Sequence, residues 1–280
     1  MLRTLSCICL CLFSILGFSA QKPKEIRMAT YNLRYYNPGD GINNWENRRD
    51  DVNALICFYG FDIFGTQEGM LNQLKDVLRM DEYAYIGKGR DDGKEAGEFA
   101  AIFYRKDRFQ LLQSGDFWLS QTPGKPSLGW DSSNNIRICS WGKFKDRNTK
   151  KVFFFFNVHF DHRGVEARKQ SAHLMLKKIK EIAGDVPVVC TGDFNSTPET
   201  EQIQTMKTLL KDSREVSEQA PYGPTGTFNG FKHDSPSDEF IDYVFISDQI
   251  KVLKYGVLTD SKNQHFPSDH FPVLVESIIN

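Results

Sequence analysis

Cysteine is scarce and unsuited to a disulfide framework. Of six cysteines, Cys7, Cys9 and Cys11 fall in the first twenty positions, leaving Cys57, Cys139 and Cys190 scattered through apolar runs. That excludes a stapled scaffold and a cysteine-rich zinc site, and the three read as small buried hydrophobes. An excess of one charge is missing too: 35 basic residues face 36 acidic ones. Without Arg3 the count is 34 against 36, a net of −2, which disfavours a clamp for long nucleic acids, since these are gripped through many Lys and Arg contacts. No internal repeat or low-complexity run is present.

What is present is ordinary globular composition, 40% hydrophobic and 25% charged. The first twenty residues stand apart. Arg3 supplies a positive start, an apolar run reaches Phe18, and Gly17 and Ser19 are small at the two positions a signal peptidase requires. About fifteen apolar residues are too few for a membrane span, which needs ~20. The expectation is a signal peptide over residues 1–20, export to the periplasm or the extracellular space, and one domain over 21–280 with no membrane span after cleavage. Nothing in the sequence speaks to oligomeric state.

Short β-branched and aromatic runs predict strands at Ile26–Tyr31, Phe61–Thr66, Phe99–Tyr104, Ile136–Phe144, Val152–Phe160, Val186–Thr191, Phe240–Ile246 and Phe271–Ile278. Helical stripes run through Trp45, Val52, Ile56 and Tyr59, and from Ala172 to Ala183 before Gly184. A third helix is expected to start at Ser196-Thr197-Pro198-Glu199. Many strands and few helices make an α/β chain, better suited to two packed sheets with helices outside than to one parallel sheet.

Polar residues recur where these runs begin or end, and a strand terminus is a rigid platform for aiming a side chain. Thr30-Tyr31-Asn32, Thr66-Gln67-Glu68, Asn157-Val158-His159-Phe160-Asp161, Thr191-Gly192-Asp193-Phe194-Asn195 and Ser268-Asp269-His270 are such places. Asp242 sits inside the run from Phe240 to Phe245, where a lone acid is costly without a partner. Singly, each has a plain reading as turn residue, helix cap or packed histidine. Together they offer oxygen ligands and two histidines, an inventory that selects a hard cation, Mg²⁺ first, with Mn²⁺ or Ca²⁺ as substitutes.

These motifs, with Gln67-Glu68, Ile241-Asp242-Tyr243-Val244-Phe245 and Ser268-Asp269-His270-Phe271-Pro272-Val273, closely resemble the ordered motifs of the endonuclease/exonuclease/phosphatase superfamily, over essentially the whole mature chain. The resemblance implies a four-layer α/β/β/α sandwich with the site at one edge of the sheets. It also implies roles. Glu68 would be the principal Mg²⁺ ligand, with Asn32 and Asp269 in or beside its shell; Mn²⁺ is a substitute, and one or two ions remain open. His270 would be the general base, oriented by Asp242. Asp193 and Asn195 would orient water and the phosphoryl group, and His159 would face the phosphate from the other side. Tyr104 and Arg137 match positions that meet phosphate or position the site, although a sheet-surface salt bridge accounts for Arg137 equally well. Arg34, Tyr35, His162, Arg163 and Asn229 lie just beyond motif residues.

The expected substrate is a small or lipid-linked phosphoester, cleaved by a phosphodiesterase or phosphatase; nucleic acid is a partner not favoured by the charge. A secreted nuclease is the alternative. A sphingomyelinase-like activity calls for an exposed apolar hairpin, for which Phe117-Trp118-Leu119 is the only candidate, and that segment reads equally well as core. A catalytically dead phosphate-binding protein would have lost a metal acid or a histidine, and none is missing. The segment from Gly115 to Asn135 reads as the longest loop and the holder of specificity.

Overall fold

The computed structural model describes residues 24–132 and 134–280; the expected signal peptide lies outside the described residues. Among those residues, twelve strands form two six-stranded sheets. From edge to edge, the first runs β11 (Ile250–Val257), β12 (Val273–Ile279), β1 (Ile26–Asn32), β2 (Ile63–Gln67), β4 (Ile102–Arg105), β3 (Tyr83–Ile86). The second runs β5 (Phe109–Trp118), β6 (Ile138–Asp146), β7 (Val152–His159), β8 (Val188–Asp193), β10 (Asp242–Ile246), β9 (Lys211–Asp212).

Period-two alternation explains the layering. On β7, Phe153 and Phe155 share a face with Asn157, whose amide reaches across to main-chain carbonyls of the first sheet, so these rings fill the space between the sheets. Phe154 and Phe156 point the other way, toward α3 (Val165–Ala183), where Ala172, Met175, Ile179 and Ala183 belong to the same core. On the first sheet, Ala29, Tyr31, Phe64 and Phe103 pack under α1 (Trp45–Tyr59) and α2 (Leu71–Val77). The result is a four-layer α/β/β/α sandwich. Removing one of its buried phenyl rings costs roughly 3–5 kcal/mol.

Each sheet has a parallel pair at its centre, β1 with β2 and β7 with β8. Parallel neighbours need a crossover, which α1 and α3 supply. All four strands therefore end at the same edge of the sandwich. Just behind that edge the sheets are joined by a polar network in which Gln67 Nε2 donates to Asn157 Oδ1 at 2.7 Å and Thr191 Oγ1 donates to the same oxygen at 3.0 Å. Gly65 makes room for it, since a Cβ there would stand 2.2 Å from Asn157 Oδ1.

Three local expectations are corrected. The third helix, α4 (Glu201–Lys207), starts later than expected, because the Ser196 hydroxyl donates to Phe194 O and accepts from Gln202 Nε2 instead of capping, and residues 198–200 form a turn. Phe117, Trp118 and Leu119 are buried, and Gly115–Trp118 belongs to β5 rather than to a loop. Cys57 is exposed on α1, whereas Cys139 and Cys190 are buried.

Candidate active site

The shared strand edge gathers the polar residues. Asn32 and Gln67 are register partners at the ends of β1 and β2, and Glu68 follows at once. His159 and Asp193 are partners at the ends of β7 and β8. Because β10 runs antiparallel to β8, its first residue, Asp242, falls opposite Asp193; because β12 runs antiparallel to β1, Asp269 and His270 arrive at the same edge just before it. These side chains, except buried Asn32, Gln67 and Asp242, line a cavity of about 490 Å³ together with Arg34, Tyr35, Arg90, Glu98, Asn135, Arg137, His162, Asn195, Phe228, Glu239 and Ile241. A larger cleft of about 940 Å³, among Arg27, Asp62, Arg105 and Arg108 at the other end of β2, holds none of them.

Asn32 ties the acids together. Its Nδ2 donates to Asp193 Oδ2 at 3.0 Å and Glu68 Oε1 at 3.2 Å, while its Oδ1 accepts from Arg34 N. Tyr35 N donates to Glu68 Oε2 at 3.0 Å, and Asn195 N to Asp193 Oδ1 at 2.8 Å. Arg34, Glu68 and Asn195 all have positive φ, 56°, 62° and 46°. Each follows a strand end by one or two residues, and the left-handed turn swings its side chain back over the edge. Non-glycine residues adopt that region at a cost, which clusters at functional sites.

The histidines are poised oppositely. His270 Nδ1 lies 2.9 Å from Asp242 Oδ2, and its Nε2 is 3.8 Å from Asp193 Oδ2. Burial works against its charged form, but the carboxylates of Asp242, Asp193 and Asp269 outweigh burial and hold its pKa well above the usual value. His159, with Nε2 3.6 Å from Asp193 Oδ2 and Nδ1 3.8 Å from Glu98 Oε2, is pushed well below, first by burial and then by Arg137 and Arg90. Asp193 is pushed up to about 7 by burial and by Asp242, and burial raises Asp269. The ligand-type atoms of Asp193, Asp242 and His270 lie within 4.8 Å of one another, close enough to serve either a metal or a proton relay, and among the described residues the Asp242 oxygen turned away from His270 is buried without a hydrogen-bond partner. Among the described residues no helix is long and apolar enough to cross a membrane.

The profile of the Endonuclease/Exonuclease/phosphatase family matches residues 29–270. The chain belongs to this family. Its members hydrolyse phosphoester bonds. Among solved structures, the endonuclease/exonuclease/phosphatase from Bacteroides vulgatus is similar over 92% of this chain and 100% of its own, with 41% identity and a TM-score of 0.88. The mannosyl-6-phosphatase from Bacteroides thetaiotaomicron is 44% identical over 91% of this chain and 100% of its own, TM-score 0.87. An RNA exonuclease of Saccharomyces cerevisiae is 22% identical over 83% of this chain and 68% of its own.

Within this family site, the structure brings together all the expected residues except Tyr104. β4 runs antiparallel to β2, pairing Ile102 with Gly65 and Tyr104 with Ile63, so each step along it leads away from Glu68; the Tyr104 ring instead packs on Phe144 at 5.0 Å. Arg137 is no surface residue. It is buried, its Nη2 lies 3.1 Å from His162 Nδ1 and its Nε 3.8 Å from Asp161 Oδ2, an ion pair in the interior rather than on the sheet surface; among the described residues Nε and Nη1 have no hydrogen-bond partner. Asn229 lies behind the site, its main-chain N donating to Asp269 O and its Nδ2 to Ser268 O, and Arg163 does not line the cavity. Sequence reasoning missed Glu98 and Arg90, paired at 2.5 Å. Arg90 lies within the glycine-rich segment Gly87–Gly97 and Glu98 directly follows it, before the apolar run that begins at Phe99; the available signal was an acid at the start of that run.

Proposed function

We propose that the chain is an exported, Mg²⁺-dependent phosphatase that removes phosphate from a small hydroxyl-bearing molecule such as a phosphorylated sugar. The observation that carries this reading is the convergence of the His270–Asp242 pair and His159 on Asp193 and Asn195 inside a cavity of about 490 Å³. Likeness to a mannosyl-6-phosphatase over nearly the whole chain supports the substrate class. The mouth supports it too. Residues 229–239 present Lys232 against exposed Asp234, Asp238 and Glu239, which is no rail for a polyanion.

Glu68 and Asp269, with Asp193 close by, would hold the divalent cation. When bound, the cation neutralises phosphoryl oxygens and weakens the hold of the clustered acids on the His270 proton. Asp242 accepts from Nδ1–H and fixes the tautomer, so Nε2 takes the proton of the attacking water. Water oxygen bonds to phosphorus as the bond to the leaving oxygen breaks. Asn195 and neutral His159 present N–H donors to the phosphoryl group, and buried Arg137 adds fixed positive charge beside it.

A panel of sugar phosphates, dinucleotides, single-stranded RNA and DNA, and sphingomyelin, assayed with Mg²⁺ or EDTA, tests the proposal. Hexose monophosphates should turn over fastest, and EDTA should abolish activity that Mg²⁺ or Mn²⁺ restores. Fastest turnover on nucleic acid would favour the nuclease reading, and full activity in EDTA would remove the metal from the mechanism.

A further inference from the structure

Arg48 is buried at 4% exposure on the inner side of α1, its guanidinium lying over the Trp45 and Phe231 rings at 5.5 and 5.3 Å. Among the described residues, all its hydrogen bonds end on main-chain carbonyls. Nε donates to Asn43 O at 2.6 Å, Nη2 to Arg34 O at 3.3 Å, and Nη1 to both Leu33 O at 3.0 Å and Pro267 O at 2.5 Å. Leu33 follows Asn32, and Pro267 stands two residues before Asp269. A single nitrogen therefore bridges the two chain segments that carry Asn32 and Asp269, segments far apart in sequence. Ser268 Oγ adds one tie between them, donating to Asn32 O at 2.7 Å. A buried cation is expensive unless its donors are satisfied, and here they are spent on holding the loops at the site's edge.

We propose that Arg48 is a positioning residue for the divalent-cation site, setting the separation between the Asn32 and Asp269 segments. The inference rests on the metal-dependent reading above. A planar fork of donors reaches several carbonyls at once; lysine is a point charge with three donors and cannot span the same set. Groups that orient metal ligands typically contribute 10- to 100-fold to affinity.

Mn²⁺ titrated calorimetrically into the full chain, with circular dichroism as a check on folding, tests it without reference to turnover. Arg108, equally buried at the other end of β2 and paired with Asp62 at 2.6 Å, supplies the control. Arg48→Met and Arg48→Lys should each bind Mn²⁺ about 10- to 100-fold more weakly than wild type, while Arg108→Met should lower thermal stability and leave the affinity unchanged. Should Arg48→Met fail to fold, Arg48→Lys decides. Folded Arg48 variants binding within about twofold of wild type, or an equal loss in Arg108→Met, would overturn the inference and leave the metal site standing. A wild-type protein that binds no Mn²⁺ would overturn the metal reading, and this inference with it.

Discussion

Asp242 and His270 are a buried pair whose two functions separate by measurement. In turnover they act as one unit, so His270→Ala and Asp242→Asn should each lower kcat by about 10²- to 10⁴-fold, and the double variant should be little worse than the poorer single one. In stability they should part company. His270→Ala leaves Asp242 buried at 1% exposure without its partner, and stranding one member of such a pair costs roughly 3–5 kcal/mol. Asp242→Asn in the same chain removes the stranded charge, so the double variant should melt above His270→Ala while remaining inactive. A kcat for folded His270→Ala near that of wild type would refute the assignment of the base. Multiplying losses in the double variant would mean the two residues work independently.

At the scale of elements, the short helix α5 (Ser213–Val216) carries a titration outside the active site. Its cap, Asp212, accepts from Arg214 N at 2.9 Å, yet burial pushes its carboxyl up to about 6. A raised carboxyl pKa means that the folded state holds the proton more tightly than the unfolded chain. Below about pH 4 both states are protonated and nothing is lost; between about pH 4 and 6 the unfolded chain ionises while the folded state keeps the proton, so stability falls across that window and levels off above it. Asp212→Asn keeps an oxygen for the cap. It should match wild type near pH 4 and exceed it above pH 6, by roughly 3 kcal/mol at most. Melting curves from pH 4 to pH 8 that run parallel for the two proteins would show that Asp212 is not the titrating group.

Legibility in the sequence also divides by element. The strands visible as apolar runs, β1, β2, β4, β6, β7, β8, β10 and β12, are all interior to their sheets, where both faces are covered. The strands that escaped, β3, β5, β9 and β11, are the sheet edges. An edge is half-exposed, so β11 buries Ile250, Val252, Tyr255 and Val257 while Lys251 and Lys254 stay exposed, and β5 and β11 each carry a bulge that breaks the period. The site follows the same logic. Asn32, Glu68, His159, Asp193, Asp242 and His270 stand out because they interrupt interior strands at their ends. Glu98 and Arg90 do not, because their burial comes from the fold of a polar loop over His159, which no local pattern encodes.

On the scale of the whole molecule, β1 completes its antiparallel ladder only with β12, with Ile26 and Ser277 directly paired across 251 positions of sequence. Ending the chain after Pro272 should therefore yield no soluble folded product, since β1 and β11 would both lose the strand between them. A truncated chain with the wild-type circular dichroism spectrum and melting cooperativity would contradict this. The same pairing sets a clock on synthesis. At roughly 5–20 residues per second, β1 leaves the ribosome on the order of 10–50 s before β12 exists. Through that interval the nascent chain has β2 as its only neighbour for β1, and the acids at the strand ends are not yet gathered. The polypeptide stays open until β12 has emerged, and the repulsion of Glu68 with Asp193 and with Asp269 arises only after that strand has closed the sheet.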